Sequence, residues 1–125
     1  MKLDLKLIRK ILLQIEEEKL YSLNFEDLLK KIHNEFMDFD SDEIKEHALL
    51  LKEADLLEFQ IVSDASGYIY ITDTFRITWK GFEFLSSIRN DSIFKKIVDK
   101  LSPTQNFGIH LVQQIGTKFA LELLG

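Results

Sequence analysis

The chain contains no cysteine. Zinc fingers, thiol catalysis and disulfide scaffolds are therefore excluded, and the simplest setting for such a protein is the cytoplasm. Proline occurs once and glycine five times in 125 residues, too few for a flexible linker, and there is no repeat or low-complexity tract. Long apolar runs are missing as well. The leucine-rich start is broken by Lys2, Asp4, Lys6, Arg9 and Lys10, and the stretch from Phe107 to Leu124 contains His110, Gln113, Gln114, Thr117, Lys118 and Glu122. Neither a signal peptide nor a membrane span is expected. Cationic excess is lacking too: 16 basic residues face 21 acidic ones, for a net charge of −5. That balance argues against a dedicated phosphate-backbone binder.

What is present suits one globular domain. Apolar residues make up 46% of the chain, enough for a core without metal or disulfide support. From Leu3 to Lys19, leucine and isoleucine at 5, 8, 12 and 15 keep helical spacing, and Leu3, Leu7 and Ile11 add a second ridge. A helix wet on one narrow face packs against two neighbours. Asn24 and Asp27 offer a cap for a second helix through Phe36 or Met37, and Asp40 with Glu43 forms a capping box for a third, ending near Ala54.

Beyond Ala54 the period changes. Leu57 to Val62 and Tyr68 to Ile77 alternate, with Asp64 to Gly67 as the turn. Leu57, Phe59, Ile61, Ile69, Ile71, Phe75 and Ile77 fall inside, and Tyr68, Tyr70, Thr72, Thr74 and Arg76 outside. Thr78 caps a helix from Trp79 to Arg89, a further helix runs to about Leu101, and Ser102 and Pro103 open the last one. This order predicts an α+β, mostly α fold: a winged helix-turn-helix with a β-hairpin wing over residues 1–90. A C-terminal helical extension, residues 91–125, packs on it.

The opening LIRKILLQIEE, the HALLLKEADLLE stretch from His47 to Glu58, and SGYIYITDTFRITWKGFEFLSSIRND from Ser66 to Asp91 resemble an uncharacterised winged-helix family, a domain of unknown function found in bacteria and their phages. The likeness covers roughly Met1 to Leu101 and implies a fold, with no assigned activity. One departure is Asp55, where glycine usually ends the third helix. The turn there calls for a left-handed residue, which aspartate tolerates.

In winged helices that read DNA, the third helix enters the major groove and the wing touches phosphate. With Ile44, Ala48 and Leu51 turned inward, the outward residues are Asp42, Glu46, Leu49 and Glu53, flanked by Lys45 and Lys52. From Leu20 to Glu58 there are four basic and eleven acidic residues, a balance of −7, and the wing tip from Asp64 to Tyr70 has no lysine or arginine. Phosphate repels such a surface. The basic alternative is a stripe of Lys2, Lys6, Arg9 and Lys10 on the first helix.

Chemistry is sparse. His33, His47 and His110 lie on three different predicted helices without metal-ligand spacing. Asp38, Asp40 and Asp42 begin like a calcium loop, but Glu43 stands at its glycine position and Leu49 at its bidentate glutamate position. No phosphate loop, nucleophile elbow or dinucleotide fingerprint occurs. The expectation is a non-enzymatic module with no catalytic, cofactor or metal site.

The sequence favours a cytoplasmic interaction or regulatory module, of phage or mobile-element origin as the resemblance implies. Its candidate partner surface is Leu49, Glu46, Glu53, Tyr68 and Tyr70. The alternative is a DNA-binding transcriptional regulator acting as a dimer, with Lys2, Lys6, Arg9 and Lys10 as candidate contacts. The apolar terminal helices, with Gly108, Val112 and Gly116 permitting close approach, pack either within one chain or between two as a homodimer.

Overall fold

Helix α1 (Leu5–Glu17) starts at Asp4, whose carboxylate accepts the Leu7 N–H at 3.1 Å. Both expected ridges are buried: Leu7, Ile8, Ile11 and Leu12 are at most 1% exposed, with Leu5 and Ile15 close behind. The computed structural model describes residues 3–19, 21–35, 38–72 and 74–101, together with positions 112, 114, 116, 118 and 121. Within these, α1 is the hub, packing on the second, third and fourth helices and on the last strand.

Helix α2 (Phe25–Glu35) is capped by Asn24, which accepts the Asp27 N–H at 2.9 Å. Its expected end at Phe36 or Met37 lies outside the described residues. Helix α3 (Ser41–Glu53) opens with the capping box: Asp40 accepts the Glu43 N–H, and the Glu43 carboxylate accepts the Asp40 N–H. Asp55 ends it at φ 64°, with Asp55 N–H donating to Lys52 C=O and Leu56 N–H to Leu51 C=O. That is the Schellman arrangement, with aspartate in the left-handed position usually held by glycine.

The hairpin is present but broken into two antiparallel pairs. Strand β1 (Leu57–Glu58) pairs with β4 (Arg76–Ile77), and β2 (Ile61–Ser63) with β3 (Ile69–Ile71). Leu57 faces Ile77 while Ile61 faces Ile71, so the return strand carries two extra residues between the pairs. This bulge bends the ribbon. At the bend Phe59 and Phe75 turn into the core and meet edge-on, 4.9 Å apart. Outward of the bend the ribbon leaves the core, which corrects one sequence expectation: Ile61, assigned to the inner face, is 40% exposed. The link between α1 and α2 closes the base, with Tyr21 N–H donating to Phe75 C=O and Phe75 N–H to Leu23 C=O.

Helix α4 (Trp79–Ile88) explains the threonine-to-glycine spacing. Thr78 Oγ1 accepts the Gly81 N–H at 3.0 Å and donates to Asp55 C=O at 2.6 Å. A Cβ at Gly81 would lie 2.2 Å from the Leu56 carbonyl oxygen and 2.7 Å from Ile77 Cγ2. Glycine therefore lets α4 lie directly on the hairpin base. Helix α5 (Asp91–Leu101) is capped by Asn90 and sends Ile93, Phe94 and Ile97 into the same core.

Polar contacts lock α1 to the end of α4. Arg9 donates to Ile88 C=O at 2.8 Å, Arg89 C=O at 2.6 Å and the Asp91 carboxylate at 2.6 Å. Its guanidinium also lies 4.6 Å from the Phe94 ring centroid. Arg89 returns the contact with a forked pair onto Glu16. That pair holds the Glu16 carboxyl below its usual value and raises Arg89. Further along, Val112 is fully buried, and a Cβ at Gly116 would come within 2.6 Å of the Ser87 carbonyl. At Gly116 the C-terminal segment lies against α4. Ser102, Pro103 and Gly108 lie outside the described residues.

Two substitutions test this packing in chemical denaturation. Gly81→Ala is expected to lower stability by about 1–3 kcal/mol, since α4 must shift away from Leu56. Asp55→Gly is expected to raise it by about 0.5–1 kcal/mol by relieving the left-handed aspartate.

Candidate nucleic-acid and partner interface

The capping box at Asp40 sets the start of α3 and thereby the direction its outer face presents. Asp42, Glu46 and Glu53 are exposed, while Leu49 is half-buried against the core rather than standing clear of it. Neither lysine of α3 projects freely. The Lys45 ammonium sits 3.8 Å from the Tyr68 ring centroid, and Lys52 donates to Phe59 C=O at 2.5 Å. The positive charges that flank the helix in sequence are thus folded back onto the wing.

The wing is shaped by Asp64. Its carboxylate accepts from the Ser66 hydroxyl at 2.6 Å and from the Ser66 and Tyr68 N–H groups at 2.9 and 3.0 Å. Tyr70 adds its hydroxyl to the other oxygen at 3.1 Å. The Ser66 hydroxyl is the main reason the Asp64 carboxyl titrates below its usual value, with the backbone donors and Tyr70 adding to it. Gly67, at φ 87°, completes the turn in a conformation that costs glycine nothing sterically. Tyr68 and Tyr70, both about half exposed, stack edge-on at 4.7 Å. Trp79, 78% exposed, instead donates its indole N–H to Glu83.

At the wing base Arg76 pairs with Glu58 and donates to the Tyr21 hydroxyl, which in turn donates to Glu58. Arg76 first and Tyr21 second hold the Glu58 carboxyl below the ordinary range. This triad crosses from the α1–α2 link to both strands of the base.

The structure brings Tyr68 and Tyr70 together and sets Lys45 of α3 over the Tyr68 ring, while Trp79 pairs with Glu83 on its own helix. It disperses the basic stripe. Arg9 is the tie to α4, Lys10 donates to Glu35 at 2.6 Å, and Lys2 lies outside the described residues. Lys6 is exposed. His47 is 1% exposed. Its Nδ1 donates to Glu43 C=O at 2.7 Å and its Nε2 accepts the Asp4 N–H at 2.9 Å. It is a strut between α1 and α3. Among the described residues no three metal-ligating side chains converge, and no helix is long and apolar enough to cross a membrane.

Sequence reading missed one feature: a groove of about 320 Å³ between the wing and the start of α2, lined by Asn24, Phe25, Glu26, Lys45 and residues 68–72. Nothing in the linear order brings Phe25 to β3; the only hint was the half-apolar, half-aromatic alternation of Tyr68 to Thr72.

Three helices, a bent hairpin returning to α4, and α3 lying beside that hairpin define a winged helix. The chain belongs to the family of hypothetical proteins DUF2513, whose model matches residues 2–106. An uncharacterized protein of Haemophilus influenzae is 27% identical over 125 residues, 99% of each chain. Two solved structures share the fold. A PadR-like transcriptional regulator of Bacillus cereus superposes with a TM-score of 0.54 at 23% identity, over 76% of this chain and 89% of that one. A PadR-like transcription factor of Bacteroides fragilis gives 0.52 at 21%, over 78% and 87%.

The wing tip supplies a pH test. Because the folded-state pKa of Asp64 is depressed, its ordering effect is complete above the usual value of 3.8 and is lost as pH falls through the lower folded value. Amide resonances of Ser66 and Tyr68 are expected to shift together on acidification below about pH 4. Asp64→Asn is expected to remove most of that titration while leaving the thermal midpoint nearly unchanged.

Proposed function

We propose that this protein is a non-enzymatic, winged-helix regulator of transcription that acts on duplex DNA as a dimer. The observation that carries the reading is the fold itself, shared over three quarters of the chain with proteins described as PadR-like transcriptional regulators. This favours the DNA-binding alternative over the interaction module that charge alone put first. The contact surface under this reading is the start of α3 with the wing, where Lys45 lies against Tyr68. Leu121, 64% exposed, places apolar surface on the C-terminal segment where a second copy would join.

A second reading has its own observation. Asp42, Glu46 and Glu53 are exposed on α3, while Lys45 and Lys52 are engaged with the wing. On this reading Glu46, Leu49, Glu53, Tyr68 and Tyr70 meet a protein partner.

The two readings differ in salt dependence. With one or two phosphate contacts per copy, a dimer is expected to lose affinity with a log–log salt slope of about −2 to −4. Fluorescence anisotropy with a random duplex at several salt concentrations measures it, and sedimentation equilibrium reports the dimer. Lys45→Ala is expected to weaken binding, and Glu46→Gln with Glu53→Gln to strengthen it. No binding at low salt in either the parent or the neutralised variant would overturn the DNA reading and leave the protein-partner one.

A further inference from the structure

The outer edge of the wing is built to receive a strand. Asp64 N–H donates to Tyr68 C=O, Thr72 N–H donates to Gln60 C=O, and Val62 lies opposite Tyr70 between these rungs. In an antiparallel ladder, bonded and non-bonded positions alternate. Tyr68, Tyr70 and Thr72 therefore turn their backbone groups toward β2, and Ile69 and Ile71 turn theirs away. Strand β3 pairs with β2 alone, and no backbone partner among the described residues takes the outward groups of Ile69 or Ile71.

Such an edge is ordinarily blunted by charge, proline or a covering element. Here it opens into the groove of about 320 Å³, whose far wall is Asn24, Phe25 and Glu26. All five consecutive residues from 68 to 72 line that groove. A strand whose residues of both parities border one groove presents its edge to it, because successive side chains point to opposite faces. An added strand would have the exposed Tyr68 and Tyr70 rings on one side and the half-buried Ile69 and Ile71 on the other.

Charge selects the occupant. Glu26 and Lys45 both line the groove, but the Lys45 ammonium is held over the Tyr68 ring, and Asp42 and Glu46 are exposed on the same helix, so the charge left free on these elements is acidic. An acidic strand would be repelled; a basic one is complemented. We propose that the β3 edge takes an extended, lysine- or arginine-bearing segment of a partner protein as an added strand, by β-augmentation. This site goes beyond the regulator reading and does not rest on it.

The probe is a fluorescein-labelled octapeptide alternating valine with lysine, titrated with the full chain, beside a valine–glutamate counterpart. The basic peptide is expected to bind saturably and the acidic one not to bind. Ile71→Pro removes an outward N–H without removing a ladder bond. It is expected to weaken binding by roughly tenfold, and Glu26→Lys to weaken it as well, while circular dichroism confirms that both variants fold. An independent arm leaves the protein unchanged: of two peptides N-methylated at odd or at even positions, only one is expected to retain binding. Several results would overturn the proposal. They are absence of binding up to millimolar peptide, binding indifferent to Ile71→Pro and to both methylation patterns, or a dimer of this chain that Ile71→Pro dissolves. Protection of the Ile69 and Ile71 amides by duplex DNA in place of peptide would overturn it too.

Discussion

Burial of α1 is the constraint on which the remaining structure depends. Its two ridges occupy the centre of the molecule, so every other element must present an apolar face to it. Its few polar side chains must also be satisfied by partners that come to it. Lys10 is met by Glu35 of α2 and Arg9 by the carbonyl end of α4, while the backbone N–H of Asp4, at the start of the helix, donates to His47 of α3. Arg9 in particular supplies donors where a helix leaves its last carbonyls unsatisfied, and a cation where the helix dipole is negative. Among the described residues no buried side-chain nitrogen or oxygen lacks a partner. The same contacts that fix the fold therefore remove cations from the surface.

That removal shapes what the outer surface offers. Charge counting in sequence treats each lysine and arginine as available, and on that basis α1 carries a basic stripe while α3 carries flanking lysines. In the folded chain Arg9 and Lys10 are structural, Lys52 is bonded to a carbonyl, and Lys45 lies on an aromatic ring. The fold is a winged helix, yet its third helix is anionic. Any contact with DNA is correspondingly modest in its electrostatic part, and the groove along β3 becomes the most differentiated surface feature on the wing.

Much of the fold was legible because its signals are local. Helix caps at Asn24, Asp40 and Thr78 act within three residues, and each forms the hydrogen bond its spacing implies. The left-handed turn at Asp55 followed from the absence of glycine at a helix end. Alternation in the hairpin failed only at Ile61, since a two-residue bulge lifts the outer ribbon off the core and no local pattern reports it. The candidate surface was less legible. Glu46, Tyr68 and Tyr70 were named, but Lys45 as the contact between α3 and Tyr68, Asp64 as the organiser of the tip, and Phe25 as the wall of the groove were not.

The linear order of residues determined the winged-helix class, the caps, the hub helix and the anionic character of α3. These follow from periodicity, short-range hydrogen bonding and net charge, which need no knowledge of what lies across the chain. Tertiary structure decided which charges remain available and where an unpaired strand edge meets a groove. Both depend on residues separated by tens of positions, such as Arg9 and Ile88 or Phe25 and Ile69. Side-chain partners at that range are chosen by packing geometry, which a one-dimensional pattern does not encode.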